Sequence, residues 1–192
     1  HFIVNLAALS TSWLCMAMKG RTEAFDELIN EKAKVHPGQA RIAKAIRGFL
    51  NEESYQTPAQ IEGHVQDRYS LRCTPQVLGP VIETIEQGWS WLESEINSVS
   101  DNPLISDDGK LSTGGNFYGG YLGHGQDYLK ICLANTADLI DRQLMLIADE
   151  KSNRGLPPNL ADWNALPESE RFVHHGLKAL HQSVSAITSE IM

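Results

Sequence analysis

YLGHGQDYLKICLANTADLIDRQLMLIADEKSN, residues 121–153, decides the fold class. Its apolar residues Leu122, Leu129, Leu133, Ala137, Ile140, Leu144 and Ile147 recur at the steps of one helical face. Lys151, Asn153, Arg154 and Gly155 then supply stop signals, and Leu156-Pro157-Pro158 blocks continuation. A helix of this length calls for other helices to cover it.

The flanking sequence supplies them. Upstream, residues 75–99 place Val77, Leu78, Val81, Ile82, Ile85, Trp89, Leu92 and Ile96 on one broad face. Pro75 suits a first-turn position, Gly79-Pro80 predicts a kink, and Asn102-Pro103 ends the helix. Ile42, Ala45, Ile46, Phe49 and Leu50 mark a short amphipathic helix, and Ala24, Phe25, Leu28, Ile29 and Ala33 predict another over 22–34, stopped by His36-Pro37-Gly38. The opening run Phe2 to Met18 reads as a buried helix that starts before residue 1. Downstream, a connection containing Pro and Trp leads to a helical period from Phe172 to Met192. A turn is expected at Asp107-Asp108-Gly109-Lys110, and the glycine-dense stretch from Gly114 to Gly125 requires sharp bends or a close backbone approach. No strand is expected. The class is all-α, in one helical domain spanning 1–192.

Charge and cysteine usage exclude several functions. Sixteen Lys plus Arg face 24 Asp plus Glu, and the net charge of −8 repels nucleic acid and anionic membranes. The Phe2–Met18 run is broken by Asn5, Ser10, Thr11 and Ser12 and falls short of the roughly 20 apolar residues of a membrane span. Cys15, Cys73 and Cys132 show no paired spacing, which suits the cytoplasm.

The segment between the short helix and Pro75 lacks a clear period, and there Gln66-Asp67-Arg68-Tyr69-Ser70-Leu71-Arg72-Cys73 concentrates groups able to bind a small anion. Such a loop is more often solvated surface than site. If a helical turn starts there, Tyr69 and Arg72, three apart, share one side, and the guanidinium can grip a carboxylate with two parallel bonds. The glycine-dense stretch lacks the Gly-Lys-Ser/Thr of a phosphate loop. Asn102 reads first as a helix stop and Phe117 as core. His174 and His181 share a helix face, but no carboxylate or cysteine completes a ligand set, so no metal is expected.

Taken in order, four blocks resemble the histidine, phenylalanine and tyrosine ammonia-lyases and related aminomutases. They are His36-Pro37-Gly38-Gln39; Val65-Gln66-Asp67 with Tyr69-Ser70-Leu71-Arg72-Cys73 and Pro75-Gln76; Glu95-Ile96-Asn97 to Ser100-Asp101-Asn102-Pro103-Leu104; and Gly114-Gly115-Asn116-Phe117. The resemblance covers nearly the whole chain and is weakest over 161–175. It implies the elongated antiparallel helical bundle of the fumarase/aspartase-like lyase superfamily. It also implies a homotetramer with composite sites, elimination of ammonia from an aromatic L-amino acid to an α,β-unsaturated acid, and a chain that is a central segment of a longer lyase.

By the same resemblance, Arg72 clamps the substrate carboxylate, Gln66 and Asn102 supply hydrogen bonds to substrate or prosthetic group, Phe117 shapes the pocket wall, and Tyr69 is a catalytic residue beside the prosthetic group, its share in proton movement or elimination left open because a second tyrosine outside this chain is the family's usual base. That group is a methylidene-imidazolone formed from an internal Ala-Ser-Gly, and the tripeptide does not occur in these 192 residues. The chain alone is therefore expected to be inactive. Tyr118 and Lys178 depart from the histidine-type pattern towards a phenylalanine- or tyrosine-like substrate, the ordinary reading of Lys178 being a solvated helix residue. A 2,3-aminomutase shares every block, and a non-catalytic helical assembly module is the alternative outside enzymes.

Overall fold

The structure, a computed structural model, describes residues 1–51, 55–57 and 65–192. Among the described residues, six α-helices dominate: α1 (Phe2–Ala17), α2 (Pro37–Phe49), α3 (Tyr69–Arg72), α4 (Thr74–Ile96), α5 (Gly120–Ala148) and α6 (Lys178–Ile191). The long helices α4 and α5 pack on each other, α2 covers α4, α6 covers α5, and α1 bridges α2, α4 and α5. Their shared core gathers Val4, Leu14 and Cys15 of α1, Ile42 and Ile46 of α2, Leu78, Val81 and Ile82 of α4, and Leu139 and Leu146 of α5. Each such side chain, fully buried, contributes about 1.5–3 kcal/mol through lost contact with water.

The crossing of α2 over α4 depends on two glycines. A Cβ on Gly79 would lie 2.6 Å from the backbone nitrogen of Gln39, and one on Gly38 would press on the Gly79 carbonyl. Without side chains the two backbones meet directly, and the Gly38 N–H donates to Glu83 Oε1 at 2.8 Å, giving a free helix-start donor its partner. Pro75 lies in the first turn of α4 as expected, and the helix continues past Pro80 to Ile96.

Several expectations are corrected. The 22–34 helix is instead a 3-10 turn (Glu23–Phe25) and a π-helical turn (Leu28–Lys32). Phe25 is buried, but Leu28 is 67% exposed. The cause is Asn30, wholly buried, whose amide nitrogen donates to the Ala24 and Asp26 carbonyls, each at 3.0 Å, and so competes with helical bonding.

On α5 the buried row is Cys132, Thr136, Leu139, Gln143 and Leu146, not the apolar row read from the sequence, and Leu133 is exposed. The buried row contains two polar residues, which an apolar template skips. Trp89 and Ile96 of α4 are exposed rather than core, as are Phe2, Ile3, Leu6 and Trp13 of α1. The last helix begins at Lys178, six residues after Phe172, which is exposed.

A small hairpin stands where no strand was expected: β1 (Leu104–Ile105) pairs antiparallel with β2 (Leu111–Ser112). The anticipated turn closes it, with Gly109 at φ +80. In the glycine-dense stretch, added Cβ atoms on Gly114, Gly115 and Gly119 would meet nothing, so within this chain those glycines serve no close approach.

Candidate functional site

The segment that concentrates potential anion-binding groups forms a helical turn. Arg68 is extended (φ −62, ψ 155), and the chain then winds through Tyr69–Arg72 as α3 before entering α4. The three-residue spacing stacks the Arg72 guanidinium on the Tyr69 ring, 4.4 Å from its centroid. Arg72 Nε donates to the Asp67 carbonyl at 2.9 Å. Its two terminal nitrogens hold no partner among the described residues, leaving a fork of the geometry that can grip a carboxylate.

What holds the turn comes from elsewhere in the chain. The Asp67 carboxylate, 2% exposed, accepts from Arg154 Nη2 at 2.5 Å and from the Arg21 backbone N–H at 2.6 Å. Arg154 Nη1 also donates to the Met18 and Lys19 carbonyls at 2.8 and 2.9 Å, placing a cation at the C-terminal end of α1. From the other side, Gln143 Nε2 donates to the Ser70 carbonyl (2.9 Å), Thr11 Oγ1 (2.9 Å) and Thr74 Oγ1 (3.2 Å), tying the turn to α1, α4 and α5.

This ion pair colours its neighbours. Burial first, then the Asp67 carboxylate, pushes the Cys15 thiol up to about 12 against the opposing Arg154 charge. Burial likewise raises the Tyr55 phenol to about 12, with Cys15 and Asp67 adding to it. Both groups are thus held neutral, and the Tyr55 hydroxyl donates to the Gly20 carbonyl at 2.6 Å.

Gln66, exposed, lines a cleft of about 180 Å³ with Arg21, Arg72, Cys73 and Gln76. Gln76 Oε1 and Arg21 Nε are buried there without a partner among the described residues. The structure therefore brings Gln66 and Arg72 to one cleft, while Tyr69, exposed and outside its lining, reaches it only by stacking on Arg72. Asn102 lies elsewhere, at the foot of the hairpin, where a cis peptide bond links it to Pro103 and its Oδ1 accepts from the Gly114 N–H at 2.7 Å. Phe117 is 66% exposed, so it is neither core nor the wall of the Arg72 cleft within this chain. Lys178 opens α6 and lines a separate cleft with Trp163, Phe172 and His175. Tyr118 belongs to a third cleft, walled also by Trp91, Tyr121 and Tyr128.

Of the histidines weighed as ligands, only His181 lies in α6, facing Asp141 at 3.9 Å, whereas His174 precedes the helix and faces Glu170 at 3.6 Å. Among the described residues no group of three or more His, Cys, Asp or Glu could hold a metal, and no helix is long and apolar enough to cross a membrane.

The sequence profile described as aromatic amino acid lyase matches residues 1–192. The chain belongs to that family. It is 32% identical to a phenylalanine ammonia-lyase of Mycosarcoma maydis over 99% of this chain and 27% of that enzyme. It is 36% identical to a histidine ammonia-lyase of Geobacillus thermodenitrificans over 80% of this chain and 31% of that enzyme. Among solved structures, a Pantoea agglomerans phenylalanine aminomutase superposes with a TM-score of 0.82 at 30% identity, over 98% of this chain and 39% of the other. The all-α lyase fold is thus that of the family. The chain spans under a third of the length of those two curated relatives.

Two partners in the site escaped sequence reading. In sequence Arg154 marks only a helix stop, because its partner Asp67 lies 87 residues away. Gln143 sat among apolar helix residues with nothing local to mark it. Neither leaves a signal in spacing, because both act across the fold.

Proposed function

We propose that this chain supplies the carboxylate-recognition part of an ammonia-lyase site acting on an aromatic L-amino acid, in a homo-oligomeric, cytoplasmic enzyme. One observation carries the reading: Arg72 is anchored through Nε and braced on Tyr69, with both terminal nitrogens open. A guanidinium so held presents a flat fork to a planar carboxylate, and Gln66 beside it adds an amide that no protein group among the described residues engages.

Elimination of ammonia requires loss of a weakly acidic β-proton, for which ordinary side chains offer no sufficient electron sink. In the family reading, the methylidene-imidazolone supplies that sink. Its parent Ala-Ser-Gly is absent from the 192 residues, so this chain contributes recognition and not the electrophile. The donors at hand, the Gln66 amide, Tyr69 hydroxyl and Arg72 guanidinium, fit a neighbour rich in carbonyl acceptors. Arg72 orients the substrate through its carboxylate, and Tyr69 places a phenol beside that anion, where it can hold or pass a proton.

Tyr118 and Lys178 favour a phenylalanine- or tyrosine-like substrate. A 2,3-aminomutase remains the second reading, supported by the similarity to an aminomutase structure over 98% of the chain. Incubating an enzyme that includes this chain with L-phenylalanine or L-tyrosine and separating the products distinguishes the two: an arylacrylate marks a lyase, a β-amino acid a mutase. The 192 residues alone are expected to release no arylacrylate. Robust turnover by them overturns the division of labour.

A further inference from the structure

We propose that Asp67 and Arg154 are positioning residues that set the direction of the Arg72 guanidinium, so that carboxylate selectivity is controlled by an ion pair that never touches substrate. The inference rests on the carboxylate-clamp reading of Arg72 and deepens it.

Asp67 works at both ends. Its carbonyl receives Arg72 Nε at 2.9 Å, while its carboxylate receives Arg154 and the Arg21 N–H at 2.5 and 2.6 Å. Any main-chain shift that lets the Asp67 carboxylate follow another partner moves the carbonyl on which Arg72 hangs. Its side chain is 2% exposed, so it has no water to turn to, and a buried carboxylate that loses its cation must find a new one or take up a proton.

Arg154 is equally constrained. Its fork is divided between Asp67 and the end of α1, and its backbone stands in the left-handed region at φ +58, as does that of Lys19 at φ +50, whose carbonyl it holds. Two non-glycine residues stay in that region only where surrounding contacts determine them. The opposite side of the turn is fixed at the Ser70 carbonyl by Gln143. Asp67 and Ser70 are therefore pinned while the Arg72 fork is left free. This fixes one end of the guanidinium and points the other outward.

A lysine at 154 keeps the charge but cannot reach Asp67, Met18 and Lys19 with a planar fork. Arg154→Lys is thus the informative change, with Asp67→Asn as a second that removes the charge and keeps the shape. The measurement is the affinity of the enzyme for an arylacrylate such as cinnamate against its carboxamide, which has the same ring and no charge. Melting temperature and helical circular dichroism are followed alongside.

If Arg154 acts through Arg72, Arg154→Lys lowers the cinnamate-to-cinnamamide preference by about tenfold and leaves carboxamide affinity nearly unchanged. In a double-mutant cycle, Arg72→Lys with Arg154→Lys then loses no more preference than Arg72→Lys alone. A merely structural role would lower both affinities together, or the melting temperature alone, with the preference intact in both Arg154→Lys and Asp67→Asn; that result overturns the proposal. A parent enzyme with no preference for cinnamate over its carboxamide contradicts the clamp itself, which separates failure of the functional reading from failure of this one.

Discussion

Arg72 shows how much a single side chain depends on its setting. Its three-residue distance from Tyr69 was readable, and the structure realises it as a stacked pair. What it hangs from was not readable, since Asp67 needs Arg154 from the turn beyond the end of α5. Arg72→Gln in the active enzyme is expected to lower kcat/KM for an aromatic amino acid about a hundredfold, or ~3 kcal/mol, by removing a charged two-point contact; steady-state kinetics checks it. Cys15 supplies a pH signature. Its thiol is raised from 9.0 to about 12 in the folded chain, so between those values the unfolded chain ionises first and binds fewer protons. Stability from this group is complete below pH 9 and falls as pH rises towards 12, by up to about 1.4 kcal/mol per pH unit. Thermal melts from pH 8 to 11 should show Cys15→Ala with a shallower decline than the parent. Parallel declines would contradict the buried-thiol account.

Among the elements, helices with continuous apolar faces were legible. Ile42 and Ile46 on α2 and Leu78, Val81 and Ile82 on α4 are core as expected. Legibility failed where polar side chains do the packing. Asn30 turned an expected helix into two short turns, and Thr136 and Gln143 shifted the buried face of α5 away from its most apolar row. The ends of α4 and α6 were overextended because exposed apolar residues there kept the helical period without core to cover them. The α2–α4 crossing gives a prediction at this scale. Gly79→Ala places a methyl against the Gln39 backbone, which cannot yield as a side chain would, and should cost about 2–3 kcal/mol in denaturant unfolding. Gly88→Ala, on the same helix with open space around it, should be neutral or slightly stabilising.

At the scale of the whole molecule, the 192 residues expose apolar side chains on several helices at once: Phe2, Ile3, Leu6 and Trp13 on α1, Trp89 and Ile96 on α4, Ile187 and Ile191 on α6. Uncovered surface of this kind drives association. Sedimentation of the chain by itself should therefore show self-association despite its net charge of −8, and a compact monomer at high concentration would count against that expectation. Within this chain Asn102, Phe117 and Lys178 stand apart from Arg72. The family resemblance implies one site for them, and under the proposed homo-oligomer they would meet only across subunits. The most direct test is a crystal structure of the active enzyme with an arylacrylate bound. Both carboxylate oxygens should lie within about 2.7–3.0 Å of the Arg72 terminal nitrogens, with Nε still on the Asp67 carbonyl; a carboxylate held by other groups, with Arg72 turned away, would rule out the clamp.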